Sequence, residues 1–156
     1  MSRTLPIVPL DTQPSPEALL ADYRALLHFI HLVPVGLVRA TPDGDIDVMN
    51  PMAAQLLAPL GFGPAHEALN LFSILDRASP DIRTLVTAFL GDTGVVCENY
   101  RILLPDAPTS PEDAPIALGV TVLMLSRAVH GLMVVITDES AAVRLQRLKA
   151  TWGSPR

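Results

Sequence analysis

A single cysteine, Cys97, among 156 residues excludes an internal disulfide and makes a cytoplasmic setting the simplest expectation. Charge is sparse, at 17% of residues. Nowhere is there an uncharged apolar run of about 18 residues, so no transmembrane helix is expected. The stretch Met1–Leu10 carries Pro6 and Pro9 and lacks the apolar core of a signal peptide. The net charge of −5 argues against a nucleic-acid footprint. Basic charge clusters only late, at Arg144, Arg147, Lys149 and Arg156, where a solvated helix face accounts for it.

Apolar residues, by contrast, are plentiful, at 49% of the chain with a mean hydropathy of +0.37. A chain of this length and greasiness buries a large core or shares apolar surface with a partner. Residues 1–14 are Pro-rich and aperiodic and read as a flexible arm. Ser15-Pro16-Glu17 is a helix start: serine caps, proline suits the first helical position, and an acid suits the first turn. Leu19, Tyr23, Leu26 and Ile30 then recur at helical spacing, widened by Leu20 and Leu27. Residues 15–32 are therefore an amphipathic helix that ends before Pro34.

A strand at Val35–Ala40 meets an Asp43-Gly44 turn and a second strand at Asp45–Met49. Asn50-Pro51 reads as a helix cap with proline behind it, and Met52, Ala53, Leu56, Leu57 and Leu60 form the inner face. Leu71–Leu75 is a short apolar turn. Ser79-Pro80 opens a further helix with Ile82, Leu85, Val86 and Phe89 inward. The period then becomes strand-like at Val95–Leu104, at Ile116–Arg127 and at Val129–Thr137, with a Pro-rich loop at 105–115 before the last two. Asp138–Trp152 is a closing helix. The fold class is α+β: a five-stranded antiparallel sheet with short helices on one face and flanking N-terminal and C-terminal helices.

This order resembles the PAS family. Val33-Pro34-Val35-Gly36-Leu37 is similar to the family's approach to its first strand, and Pro42-Asp43-Gly44-Asp45-Ile46 to its first turn. Val48-Met49-Asn50-Pro51-Met52-Ala53-Ala54 resembles the junction of second strand and short helix. Asn70-Leu71-Phe72-Ser73-Ile74-Leu75 and Thr137-Asp138-Glu139-Ser140 resemble later family motifs, with serine where the last usually has threonine. The resemblance runs over about residues 24–145, within a PAS domain at 33–138 followed by a signalling helix and tail at 139–156. It implies that the last strand and its junction, Asp138 and Ser140, pass a signal to the outgoing helix. On local chemistry alone, Ser140 is a candidate cap for that helix, and Asp138 an acceptor that ties down the strand end.

PAS domains variously hold haem, flavin, small acids or nothing. Cys97 lies on a predicted strand, whereas the family's photochemical cysteine sits in a helical Asn-Cys-Arg motif, so covalent flavin chemistry is not expected. Haem needs an axial ligand. His28 and His31 lie on the first helix, His130 in a tight turn, and His66 near the Gly61–His66 break. None has a supporting constellation, so the cofactor stays unassigned: none, with haem or another small ligand as alternatives. A ligand pocket between sheet and helices would be lined by Leu75, Leu85, Phe89, Cys97, Asn99, Thr121, Leu123 and Val135. A strict period of two places Asn99 and Arg101 on the face of Cys97.

The last two strands are apolar on both faces at their centres. One face makes the core, and the other calls for a cover, either the first helix of the same chain or that of a second copy. Ala141, Leu145, Leu148 and Trp152 add a short seam on the last helix. The expectation is a homodimeric sensory module meeting along Leu19, Tyr23, Leu26 and Ile30, with a signalling protein as a further partner. The segment beyond Ser140 is too short for a kinase, cyclase or DNA-binding unit, so a free-standing adaptor or a fragment is expected. The alternatives are a structural dimerisation domain without ligand and a small α+β enzyme. The second lacks a convergent acid–base set in the sequence.

Overall fold

Ser15 opens the first helix as its position predicts. In a computed structural model, which describes residues 13–61, 69–104, 116–128 and 131–153, its side-chain oxygen accepts a hydrogen bond from Ala18 N at 3.2 Å. Helix α1 spans Pro16–Leu32 with Glu17 in its first turn. The chain divides into two units, residues 1–32 and 33–156. In the first, α1 buries none of its residues, and Leu19, Tyr23 and Leu26 of the expected seam are exposed, with Ile30 half-buried.

The second unit holds strands β1 (Gly36–Ala40) and β2 (Ile46–Met49), helices α2 (Pro51–Leu57), α3 (Leu71–Leu75) and α4 (Asp81–Ala88), strands β3 (Gly94–Leu103), β4 (Ala117–Ser126) and β5 (Gly131–Asp138), and helix α5 (Ser140–Trp152). A single 3-10 turn, Ala58–Leu60, extends α2. The sheet runs in the order β2-β1-β5-β4-β3, and every neighbouring pair is antiparallel. First and last strands are thus neighbours inside the sheet, while β2 and β3, consecutive in the chain, form its opposite edges. Helices α2 to α4 lie between those two strands in sequence, so the chain crosses from edge to edge over one face and covers it.

Two asparagines hold that crossing. Asn50 caps α2 through Oδ1, which accepts from Ala53 N at 2.9 Å and also from Leu37 N at 2.9 Å. Its Nδ2 donates to Val35 O at 2.9 Å. One buried amide therefore ties the helix start to the strand beside it. Asn70 caps α3 through Phe72 N and Ser73 N, and donates back to Asp43 O and Asp45 Oδ1 in the β1–β2 turn. Gly44 of that turn has φ +97, and a Cβ there would lie 2.5 Å from the Phe72 ring. Both the left-handed backbone and the close approach require glycine.

The alternation of β4 and β5 now acquires a direction. Leu118, Val120, Val122 and Met124, with Leu132, Val134 and Ile136, are buried against Leu57, Leu71, Leu75 and Ile82 of the helices. Burying each such side chain contributes roughly 1.5–3 kcal/mol. On the opposite face Thr121, Leu123, Met133 and Val135 are half-buried, and Val95 and Leu125 are exposed. No helix among the described residues is long and apolar enough to cross a membrane.

Candidate functional site

The expected period of two fails in β3. Its register against β4 shifts twice, between Val95 and Cys97 and between Cys97 and Tyr100. Asn99 sits in the second bulge with φ +46, a left-handed backbone that asparagine tolerates better than most residues. The extra residues turn the strand over. Cys97 pairs with Val122 and Tyr100 with Val120, both on the helix-covered face, while Arg101 pairs with Gly119 on the other. The expectation that Asn99 and Arg101 share the face of Cys97 is therefore corrected: a bulge inserts residues that the alternation does not count. Tyr100 uses its position to donate from Oη to Asp81 Oδ2, 2.8 Å away in the first turn of α4.

The pocket candidates divide accordingly. Leu75 lies in the core, and Phe89 and Cys97 are half-buried against it. Leu85 is instead about one-third exposed on α4 and is not part of the buried core. Asn99 N donates to Thr121 Oγ1 at 2.9 Å, and Thr121, Leu123 and Val135 lie on the outer face of the sheet. The sheet itself separates the two groups, so the eight residues do not line one cavity. Burial raises the Cys97 thiol above its ordinary 9.0, and we expect it to alkylate more slowly at pH 8 than a free thiol, as followed by mass spectrometry.

On the outer face, β4 places Ala117 and Gly119 where α5 begins. Glu139 N donates to Ala117 O at 2.8 Å, and Ala117 N donates to Ser140 Oγ at 3.0 Å. Val143, one turn on, is only 7% exposed. The cap differs from the expectation. Glu139 occupies the cap position without a side-chain bond to the helix backbone, and it is Asp138 Oδ1 that accepts from Ser140 N at 2.9 Å. Ser140 instead joins helix to sheet, because its hydroxyl is within reach of the β4 backbone.

Arg101 completes the junction. Its Nε donates to Glu139 Oε2 at 2.8 Å, and its Nη1 to Gln146 Oε1 at 3.2 Å. Above Gly119 the side chains of Asn99, Thr137 and Glu139 converge: a Cβ there would meet Asn99 Oδ1 at 2.4 Å, Thr137 Oγ1 at 2.7 Å and Glu139 Oε1 at 2.8 Å. Sequence reasoning singles out Asp138 and Ser140 but misses Arg101, Gly119 and Glu139 as a group. They come from three elements, and only the bulge at Asn99 turns Arg101 to this side.

Asp138 gives the junction a pH dependence. Hydrogen bonds from the Ser140 hydroxyl and backbone hold its carboxyl below the ordinary 3.8. A depressed folded pKa stabilises above the unfolded value and is lost as pH falls through the folded one. The start of α5 should therefore loosen as pH drops below about 3.8, with Ser140 amide exchange accelerating before that of the β4 amides. Unchanged Ser140 protection at pH 3 would contradict this. Asp138 is exposed, so salt weakens the effect.

Elsewhere, an open cleft of about 450 Å³ lies at the end of β1, β2 and β5, with Arg39, Thr41, Asp45, Asp47, Arg127 and Gly131 among its walls. Its guanidiniums are engaged: Arg39 pairs with Asp47, and Arg127 donates to the carbonyls of Phe89 and Gly91. No spacing in the sequence signals this cleft, since it assembles from separate segments. Among the described residues no three of His, Cys, Asp and Glu cluster to hold a metal. His31 Nδ1 lies 2.7 Å from Leu27 O of its own helix. His66 and His130 lie outside the described residues.

The crystal structure of the PAS domain of an HTR-like protein from Haloarcula marismortui superposes on 78% of this chain and 95% of its own, with a TM-score of 0.53 and 17% identity. The chain has the PAS fold. The sensor region of a sensor histidine kinase is a more distant match, with a TM-score of 0.43 and 18% identity over 69% of this chain and 40% of that one. No protein-family model and no curated protein matches the sequence. Within the PAS fold, the helix-covered face is the packed core and the opposite face carries the α5 junction.

Proposed function

We propose that this chain is a sensory signalling module of PAS type, which receives a small ligand or a docked partner in residues 33–138 and relays its state through α5. The observation that carries this reading is the junction itself. Helix α5 is held to β3 and β4 by hydrogen bonds from Arg101, Ala117 and Glu139, so a change in the sheet reaches it directly. Beyond that junction its apolar side chains Leu145, Leu148 and Trp152 stay exposed, at 53%, 52% and 87%. An anchored helix with an unburied apolar stripe suits an output that a partner reads.

The same reading makes the working form a homodimer. Leu19, Tyr23 and Leu26 leave an apolar stripe unburied on α1, and the exposed Val95 and Leu125 with the half-buried Leu123, Met133 and Val135 leave a partly covered one on the outer sheet face. Both need a cover that a second copy can supply. The single thiol fits a reducing compartment, so the cytoplasm is the expected place of work.

Native and denaturing mass spectra of the purified chain test the sensor reading. Excess native mass that disappears on denaturation would support ligand sensing, and the helix-facing side of Leu75, Phe89 and Cys97 is where that ligand would be sought. A clean dimer without excess mass would favour the second reading, a dimerisation module with a filled core. The complete burial of Leu57, Leu71, Leu75 and Ile82 speaks for that second reading. Sedimentation at micromolar concentration showing only monomer would remove the dimer from both.

A further inference from the structure

Arg101 makes two bonds at α5, one to its cap residue Glu139 and one to Gln146 inside the helix, and their spacing matters. Glu139 and Gln146 stand seven residues apart, close to two helical turns, or about 10 Å along the axis. Residues at that spacing lie almost on one line of the helix surface. The bonds to Ala117 and the burial of Val143 hold only the first turn of α5. Through Gln146 the planar Arg101 guanidinium carries the restraint into the second turn.

The direction this fixes is readable from the helix period. Val143, buried at 7%, and Gln146 are one turn apart and share the sheet-facing side. Leu145 follows Val143 by two residues, about 200° of rotation, and so points away. Leu148 and Trp152 continue its line. We propose that Arg101 is the positioning residue that sets the rotational phase of α5, and with it the direction in which the Leu145–Leu148–Trp152 stripe is presented. This rests on the reading of α5 as the output, but the phase of the helix is measurable whether or not that reading holds.

The bulge at Asn99 is what makes this work. Without its extra residues the strand would present Arg101 to the helix-covered core. Gly119, the register partner of Arg101, leaves room for Glu139 to come down onto the sheet. A methyl group there meets Asn99 Oδ1 at 2.4 Å and Glu139 Oε1 at 2.8 Å, and should lift Glu139 off its partner with Arg101 unchanged. The device can therefore be broken from either side.

The test uses the full chain in a Cys97→Ser background, with spin labels on the exposed positions Thr84→Cys of α4 and Arg147→Cys of α5. The parent should show one narrow distance distribution. Arg101→Met and, separately, Gly119→Ala should broaden it, and Arg101→Met should speed α5 amide exchange about fivefold while β4 and β5 exchange stays unchanged. The exchanged pair Arg101→Glu with Glu139→Arg should narrow the distribution again. An unaltered distribution in Arg101→Met would overturn the proposal, leaving Ser140 and Val143 to hold the phase. So would equal acceleration of exchange across α5 and the sheet, which would make Arg101 a contributor to global stability only. Failure of the sensor reading is seen separately, in the mass spectra.

Discussion

Replacing Asn50 by alanine is expected to destabilise the chain by about 3 kcal/mol. The side chain is 1% exposed and serves three backbone groups, accepting from Leu37 N and Ala53 N and donating to Val35 O. Loss of a helix cap costs roughly 0.5–2 kcal/mol. Each buried group left without a partner adds about 1–3 kcal/mol, offset in part where water can enter the vacated space. A loss of that size lowers the midpoint by about 6–12 °C, at the 2–4 °C per kcal/mol usual for chains of this length. Asn50→Asp is a useful companion. It keeps both accepted bonds, loses the donated one and places a carboxylate where little water reaches, so it should also destabilise. A midpoint within about 2 °C of the parent for Asn50→Ala would show that the β1–α2 junction is held by packing and not by this amide.

Leu75→Ala should cost a similar amount, about 2–5 kcal/mol, because it removes a fully buried side chain and leaves a cavity that the surrounding β4 and helix residues only partly fill. Leu85→Ala, the same change ten positions on, should cost less than about 1 kcal/mol, since Leu85 is 36% exposed and truncating it opens no closed space. Urea unfolding of the two variants side by side makes the comparison. Equal losses would mean that Leu85 is covered in solution, as a second copy or a bound partner would cover it. Leu75→Ala has a further use: an apolar cavity in this position can take up a small apolar molecule. A dilute benzene-like probe should then raise the midpoint of Leu75→Ala and leave the parent unchanged.

The pocket candidates show where the sequence runs out. Leu75 and Leu85 both lie on apolar helical spacing, and nothing in that spacing says which of the two is covered. Four of the eight candidates, Asn99, Thr121, Leu123 and Val135, lie beyond the sheet from Leu75. Alternation says that two faces exist, and only the packing of α2, α3 and α4 says which is the inside. Ser140 is legible as a junction residue, yet its bond goes to Ala117, which lies across the β4–β5 hairpin and is no local neighbour.

What the amino-acid sequence determined by itself is the α+β class, the five strands and their chain order, the Asp43-Gly44 turn, the capping asparagine Asn50 and the position of the α5 junction. These have short-range causes: hydrophobic period, left-handed turns at glycine and local capping bonds, each complete within a few residues. The strand order β2-β1-β5-β4-β3 and the meeting of Arg101 with Glu139 and Gln146 were decided by tertiary structure alone. The first depends on which way the chain crosses the sheet to bury its grease. The second depends on a bulge at Asn99, which β3 adopts only against β4 and which turns Arg101 from the core to the face where α5 begins.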